Sequence, residues 1–380
     1  MDFRKKTIND ILGEKEIYDV LISILQKEIS LLRKEHLTIA KTKSWGYNAS
    51  MNGNILRLDS LELVTVATRT NLFFELHKTG GIEELLLSER KIGDWIQIIQ
   101  KANQENLSFF SSGTTGNPEG TSHKLEKLEK EAKFWVEKIQ PKRVISLVPQ
   151  HHIYGFIFAI LVPKVAGVSR EFKDPIPTPR LKFALEEGDL IVMTPYLIEL
   201  FADFNFKFPF GVSAVCSTAP LSSETRERGL QMGLQNIFEI YGSTETSGIG
   251  WKNDNSEGFL QLPFLEEDVF PDQIEWFYDS IRGENRFKIL GRFDSVIQIA
   301  GNNVNLEETK ERILRSELLQ DLVLRLDGDR LKMFAILKNE TDKEELQKWL
   351  FENLESSERP TRIEYGTELP KNEIGKLADW

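Results

Sequence analysis

The sequence predicts an α/β protein in three parts: a helical N-terminal region, a core with a largely parallel sheet, and a small α+β unit at the C-terminal end. Three observations carry that prediction. Between residues 15 and 102 the apolar positions recur at helical spacing. From Leu107 to Tyr241 short apolar runs alternate with longer helix-patterned stretches, as strands joined by crossover helices do. From Ile274 to Ile299 short strands dominate, Gly291 marks a break, and helical stretches follow near 306–318 and 342–354. The parts fall at residues 1–102, 103–290 and 291–380.

A chain of 380 residues is long enough for two or three domains and a substantial core. Its net charge of −11 argues against a nucleic-acid partner, which calls for a basic footprint. The single cysteine, Cys216, excludes an internal disulfide and suits a reducing compartment. Met1 to Lys6 lead into polar sequence without the apolar segment of a signal peptide. No apolar run approaches the ~20 residues that a membrane-spanning helix needs. A soluble, cytoplasmic protein is expected.

In chain order, Ile17, Val20, Leu21, Ile24, Leu25, Ile29 and Leu32 define one face of a helix over 15–35. Gly46, Asn48, Asn52 and Gly53 break the pattern and predict a loop. Leu58-Asp59-Ser60-Leu61 opens a second helix reaching about Leu76, with Asp59 or Ser60 suited to cap it. A short helix near Ile82–Leu87 and another at Ile92–Ala102 follow. Leu107 to Phe110 reads as a buried strand. Further strands are predicted at Val144–Val148, Leu190–Met193, Val212–Cys216 and Ile237–Tyr241, with helices near 122–139, 153–162, 195–204 and 221–232. Internal repeats and low-complexity tracts are absent.

Between the first strand and the helix near 122–139 lies Ser111-Ser112-Gly113-Thr114-Thr115-Gly116-Asn117-Pro118-Glu119-Gly120. Glycines there permit close backbone approach, and the four hydroxyls add donors suited to phosphate oxygens. A surface turn of the same composition is the plainer reading, and Gly-Lys-Ser/Thr of a Walker A loop is missing. Downstream stand His152-Ile153-Tyr154-Gly155, Ser217-Thr218-Ala219-Pro220-Leu221, Tyr241-Gly242-Ser243-Thr244-Glu245, Gly291-Arg292-Phe293-Asp294 and Leu369-Pro370-Lys371-Asn372-Glu373-Ile374-Gly375-Lys376. The ordered set resembles the adenylate-forming superfamily of acyl- and aryl-CoA ligases, adenylation domains and luciferases. The resemblance covers roughly residues 105–380.

The resemblance implies that a carboxylic acid is activated with ATP and Mg²⁺ to an acyl-adenylate, then passed to a thiol of CoA or of carrier-protein phosphopantetheine. Ser111, Ser112, Gly113, Thr114, Thr115 and Gly116 would hold phosphates, although Glu119 stands where the family has lysine. Ser217, Ala219 and Pro220 would pass the adenine edge, Tyr241 would stack on adenine, with Gly242 beside it among the ATP-binding residues, Thr244 would bond the α-phosphate and Glu245 would hold Mg²⁺. Asp279, in Phe277-Tyr278-Asp279, stands for the family's ribose-binding aspartate, with Arg292 as a second ribose or phosphate contact. Asp294 would be the hinge of a mobile lid domain, on which Lys376 swings in to the forming adenylate. His152 would guard an acyl pocket lined by Tyr154, Gly155 and Phe156, which are equally readable as core. Cys216 is read as a buried strand residue and not as a reactive thiol.

Asp59-Ser60-Leu61 at the head of a helix resembles the attachment site of acyl carrier proteins, so residues 1–102 are expected to form a carrier-like helical domain with phosphopantetheine on Ser60. The plain alternative is a helix cap, and Leu58 replaces the usual glycine. The adenylation core is then a minimal version. An aryl or aryl-alkenyl acid is the expected substrate, medium-chain fatty acids the alternative. A non-catalytic nucleotide- or carrier-binding scaffold is the second function class, motivated by Glu119, Tyr278 and the short core. A serine hydrolase lacks Gly-x-Ser-x-Gly, and a metal at His151-His152 lacks partners at ligand spacing.

Overall fold

The structure, a computed structural model, describes residues 5–110, 120–265, 272–292, 296–299, 302–327, 330–371, 377–378 and 380. The chain folds as two compact units, residues 1–256 with 261–265, and residues 257–260 with 266–380.

In the first unit β1 (Asn106–Phe110) and β2 (Gly120–Lys124) form an antiparallel pair. The main sheet contains β3 (Arg143–Ser146), β4 (Ser169–Phe172), β5 (Asp189–Met193), β6 (Ser213–Cys216), β7 (Ile237–Ser243), β8 (Ser247–Lys252) and the short β9 (Leu260–Gln261). Their order is β4-β3-β5-β6-β7-β8-β9. The strands from β4 to β7 are parallel, and β8 returns antiparallel to β7. All five residues of β5 are buried, as expected of a central parallel strand covered on both faces. Ile145, Ile191, Met193, Ala214 and Ile237 of the strands meet Ile198 and Phe201 of a crossover helix in one apolar cluster.

The connecting helices are Leu125–Ile139, a continuous run from Ile153 to Ala166, Pro195–Asp203 and Ser223–Gln231. Thr194 and Ser222 cap the last two, each side chain accepting from a first-turn N–H. Within the run after β3, residues Phe156–Leu161 are wound as a π-helix, a local widening often found beside functional sites. Predicted strands and helices are therefore met by elements of the expected type.

The N-terminal helices Glu14–Arg33, Ser60–Phe74 and Ile92–Ala102 are also as expected, but they do not stand apart. Residues 1–102 belong to the same unit as residues 103–256. Arg170 of β4 donates from Nη1 to Glu16 Oε1 at 2.7 Å and from Nε to Asp19 Oδ2 at 2.8 Å. Asp174 accepts from the Ile39 N–H at 2.8 Å. Ser23 Oγ lies 2.8 Å from His151 Nδ1 and accepts from the Gln150 N–H at 3.1 Å. The expected division at residue 102 thus gives way to one unit, because the helix faces that looked self-contained also cover the sheet domain.

In the second unit β10 (Asp272–Asp279) pairs with β11 (Glu284–Arg292), and β12 (Val296–Ile299) with β13 (Asn302–Asn305). A three-stranded sheet, β14 (Leu319–Asp327), β15 (Arg330–Leu337) and β16 (Pro360–Tyr365), packs with helices Leu306–Leu314 and Lys343–Asn353 around Ile313, Leu322, Met333, Leu346 and Leu350. The expected boundary at 290/291 falls inside β11, where Gly291 pairs with Gln273 and the strand runs on.

Candidate active site

Open parallel sheets bind ligands beyond the carboxyl ends of their strands, at the point where the order of connection reverses. Here the chain passes from β3 outward to β4, then back over β3 to β5 and on to β6 and β7. The reversal therefore lies between β3 and β5. His152 follows β3, Thr194 follows β5, Ser217–Pro220 follow β6 and Tyr241–Glu245 end β7. The ladder aligns these ends: Ser146 pairs with Val192, Met193 with Cys216, and Cys216 with Glu239. Segments far apart in sequence share one edge of the sheet.

After β6 the backbone turns sharply. Thr218 has φ +83°, a conformation strained for a β-branched residue. Ser217 Oγ donates to the carbonyl of Ile240 on β7 at 2.9 Å, and the Leu221 N–H donates to Glu239 Oε1 at 3.1 Å. Glu239 is buried and paired with Arg226 at 3.0 Å, so the turn is tied to a fixed charge pair. Thr218, Ala219 and Pro220 themselves are exposed. Cys216 is buried, and burial pushes its thiol far up, as befits a strand residue.

The turn joining β7 to β8 carries Tyr241, Thr244 and Glu245. Gly242 is required there, since a Cβ would meet the Ser247 carbonyl oxygen at 2.2 Å. Tyr241 and Thr244 are half-buried and Glu245 is exposed. Three side chains from one direction hold this turn. His123 Nε2 donates to the Thr244 carbonyl at 2.6 Å, Lys127 Nζ donates to the Thr246 carbonyl at 3.3 Å, and Glu131 accepts from Ser247 Oγ and, at 3.3 Å, from the Gly248 N–H. Burial holds the His123 imidazole below the usual histidine range and therefore neutral, while burial raises the Glu131 carboxyl. Sequence reasoning missed all three. Their spacing of four residues, one face of a helix and its approach, was the available signal.

After β3, His152 is half-buried and its carbonyl accepts the Phe156 N–H at 2.7 Å, starting the long helix. His151 and His152 have ring centroids 4.4 Å apart. The Tyr154 hydroxyl is shared between the carbonyls of Met193, 2.9 Å away, and Val215, 2.7 Å away, so it braces the ends of β5 and β6. A Cβ at Gly155 would collide with the Pro149 carbonyl at 2.0 Å. Phe156 is fully buried against Phe109. Of the two readings open for this trio, packing is the one these contacts describe.

Of the other expected site residues, some belong to the second unit and some lie outside the described residues. Asp279 belongs to the second unit, where Oδ1 accepts from the N–H groups of Ile281 and Arg282 at 3.0 and 3.2 Å. Its carboxylate closes the β10–β11 turn, and these hydrogen bonds hold it below the usual carboxylate range despite desolvation. Arg292 ends β11 opposite Asp272. Ser111, Ser112, Gly113, Thr114, Thr115, Gly116, Asp294 and Lys376 lie outside the described residues. Ser60 is exposed in the first turn of its helix, and Asp59 is the cap, accepting the Glu62 N–H at 2.8 Å. Among the described residues no group of three or more potential metal ligands occurs, and no helix is long and apolar enough to cross a membrane. Among the described residues of this edge, the exposed carboxylate of Glu245 fits Mg²⁺, which usually keeps water and takes phosphate oxygens beside one or two carboxylates.

The family model for AMP-binding enzymes matches residues 73–263. A 4-coumarate–CoA ligase from Cereibacter sphaeroides is 34% identical over 350 residues, 86% of this chain and 84% of that protein. Another, from Halorhodospira halophila, is 32% identical over 395 residues, 96% of this chain and 99% of that protein. A 3,4-dihydroxybenzoate–[aryl-carrier protein] ligase from Bacillus anthracis is 26% identical, each protein being covered to 73%. Among solved structures, O-succinylbenzoate coenzyme A synthetase from Bacillus subtilis in complex with AMP aligns with a TM-score of 0.52 at 16% identity, covering 82% of this chain and 79% of that one.

Proposed function

The chain belongs to the AMP-binding enzyme family, and on that premise we propose that it is an ATP-dependent acid–thiol ligase acting on an aryl-alkenyl acid with CoA as acceptor. An oxygen of the acid's carboxylate attacks the α-phosphorus, the bond to the bridging β-phosphate oxygen breaks, and pyrophosphate leaves. The CoA thiolate then attacks the carbonyl carbon of the acyl-adenylate and AMP departs. Electrostatic stabilisation and positioning supply the rate, so the site must aim donors at phosphate and exclude water. The observation that carries this reading is the gathering of His152, Ser217–Pro220 and Tyr241–Glu245 at adjacent carboxyl ends beside the sheet's reversal.

In this reading Tyr241 and Gly242 flank the adenine, with Ala219 and Pro220 along its edge. The Thr244 hydroxyl donates to the α-phosphate and Glu245 ligates Mg²⁺, which neutralises phosphate charge when bound. His152 shields the acid end from water. Loop 111–116 holds phosphates, Arg292 contacts ribose or phosphate, and Lys376 meets the developing charge from a C-terminal domain that pivots at Asp294. The 4-coumarate–CoA ligases to which the chain is similar support an aryl-alkenyl acid over a fatty acid.

CoA is favoured over a carrier because a relative named 4-coumarate–CoA ligase matches 96% of the chain, which takes in most of the N-terminal region. The finer possibility, a phosphopantetheine arm on Ser60, draws on that residue's exposure at a helix start. ATP–pyrophosphate exchange across hydroxycinnamates, benzoates and fatty acids tests the first step. Exchange with fatty acids and with no aromatic acid overturns the substrate. Intact mass after treatment with CoA and a phosphopantetheinyl transferase tests Ser60, and a gain lost in Ser60→Ala restores the carrier reading.

A further inference from the structure

Glu75 is a buried carboxylate outside the edge described above. It stands immediately after helix Ser60–Phe74 with its backbone left-handed, at φ +53°, and it is only 1% exposed. Its carbonyl accepts Gln104 Nε2 at 2.9 Å and the Lys78 N–H at 3.0 Å, which fixes the main chain at that point. On the side chain, Oε2 accepts Lys78 Nζ at 2.6 Å and Oε1 accepts Ser108 Oγ of β1 at 2.7 Å. Burial alone would raise this carboxyl. Hydrogen bonds from Lys78, Ser122 and Ser108 outweigh burial and hold it below the usual range, so it is ionised at neutral pH. An ionised acceptor grips its donors roughly twice as strongly as a neutral one.

What the carboxylate grips is the β1–β2 pair. Ser108 and Ser122 stand directly opposite each other in the ladder, and His123 follows Ser122 and pairs with Leu107. Fixing the two serines therefore fixes where β2 presents His123. The ring is also held from the side. Phe73, two residues before Glu75, meets Phe109 edge-on with centroids 5.1 Å apart, and Phe109 meets the His123 ring edge-on at 5.8 Å. From there His123 Nε2 reaches the Thr244 carbonyl at 2.6 Å. The contacts run unbroken from a helix end within residues 1–102 to the turn that carries Thr244 and Glu245, all inside the first unit.

We propose that Glu75 is a positioning residue for adenylate formation, acting through Ser108, Ser122 and His123 to set the Thr244–Glu245 turn. The role given to that turn rests on the adenylate-forming reading above. Glu75 touches no reacting group in this account. Its carboxylate removes slack from β2, and β2 in turn holds the backbone from which the Thr244 hydroxyl and the Glu245 carboxylate project.

Variants of the full chain separate this role from a plain contribution to folding. Glycine accepts φ +53° without strain, so Glu75→Gly removes the carboxylate and leaves the backbone its conformation. Glu75→Gln keeps an acceptor for Ser108, and Ser108→Ala removes the donor from the other side. The first readout is the nuclear magnetic resonance of labelled histidine nitrogens. The His123 Nε2–H, shielded by the Thr244 carbonyl, is expected to trade its hydrogen with water about 10-fold faster in Glu75→Gly and Ser108→Ala than in wild type. The second is ATP–pyrophosphate exchange, where kcat should fall about 10-fold in both variants with the KM for ATP within about twofold, and Glu75→Gln should recover most of the loss. In a His123→Ala background Glu75→Gly should lower kcat no further, whereas a purely structural residue would add its full effect. An unchanged His123 N–H, or a fully additive loss in the double variant, overturns the positioning role and leaves the enzyme reading intact. A wild type that turns over no acid, while Glu75→Gly still loosens the His123 N–H, overturns the enzyme reading and keeps the link from Glu75 to the turn. If Glu75→Gly fails to fold, Ser108→Ala gives the same readouts and decides alone.

Discussion

At the scale of single residues the site depends on groups that never touch a nucleotide. His123 bonds a backbone carbonyl, and through it sets where Thr244 and Glu245 point. Misplacing a reacting group by about 1 Å can cost ~100-fold. His123→Ala is therefore expected to lower kcat by about 10- to 100-fold with little change in the KM for ATP, and His123→Gln, which keeps a donor, should recover part of it. Equal effects on kcat and KM, or no rescue, would remove the positioning role. Two histidines also make stability sensitive to acid. Burial, with His152, Lys27 and Arg69 nearby, holds His151 neutral well below the usual range, and burial does the same for His123. The unfolded chain protonates these rings first, so it binds more protons and stability falls as pH drops below ~6.5, by up to ~1.4 kcal/mol per unit for each ring. Urea melts at pH 7, 6 and 5.5 should show a shallower fall in His151→Phe than in wild type.

At the scale of elements, helix Leu125–Ile139 works as a brace for the β7–β8 turn. Glu131 sits under that turn with its charge disfavoured by burial, accepting from Ser247, Gly248 and, more distantly, Trp135. A raised carboxyl that stays protonated at higher pH is close in shape and charge to glutamine. Glu131→Gln is expected to cost less than about 1 kcal/mol, whereas Glu131→Ala, which opens a cavity and strands its donors, should cost about 2–4 kcal/mol. Chemical denaturation of both variants measures this. A larger loss in the glutamine variant would mean that the native carboxyl is ionised. The π-wound stretch after β3 is the second such element. It follows directly on Tyr154, whose hydroxyl reaches the ends of β5 and β6, from which the site is built.

At the scale of the whole molecule, residues 1–102 are structural partners of the sheet. Removing them would strip Arg170 of both acidic partners, Asp174 of its backbone donor and His151 of Ser23. A chain beginning at residue 103 is expected to be insoluble or to lack a cooperative melt, and a cooperative transition near that of the full chain would restore a separable N-terminal domain. The sequence by itself determined the element types, because period 3.6 against short β-branched runs is a local property. It also marked the order of the site segments, because Gly-rich and hydroxyl-rich turns are written contiguously, as in Tyr241–Glu245. It did not disclose that residues 1–102 share a unit with the sheet, since a buried helix face looks the same whichever partner covers it. Nor did it disclose the rack of His123, Lys127 and Glu131, the bracing hydroxyl of Tyr154 or the turn-closing carboxylate of Asp279. Each of those depends on which backbone group lies opposite a side chain more often than on the residue type alone, and only the tertiary structure sets that pairing.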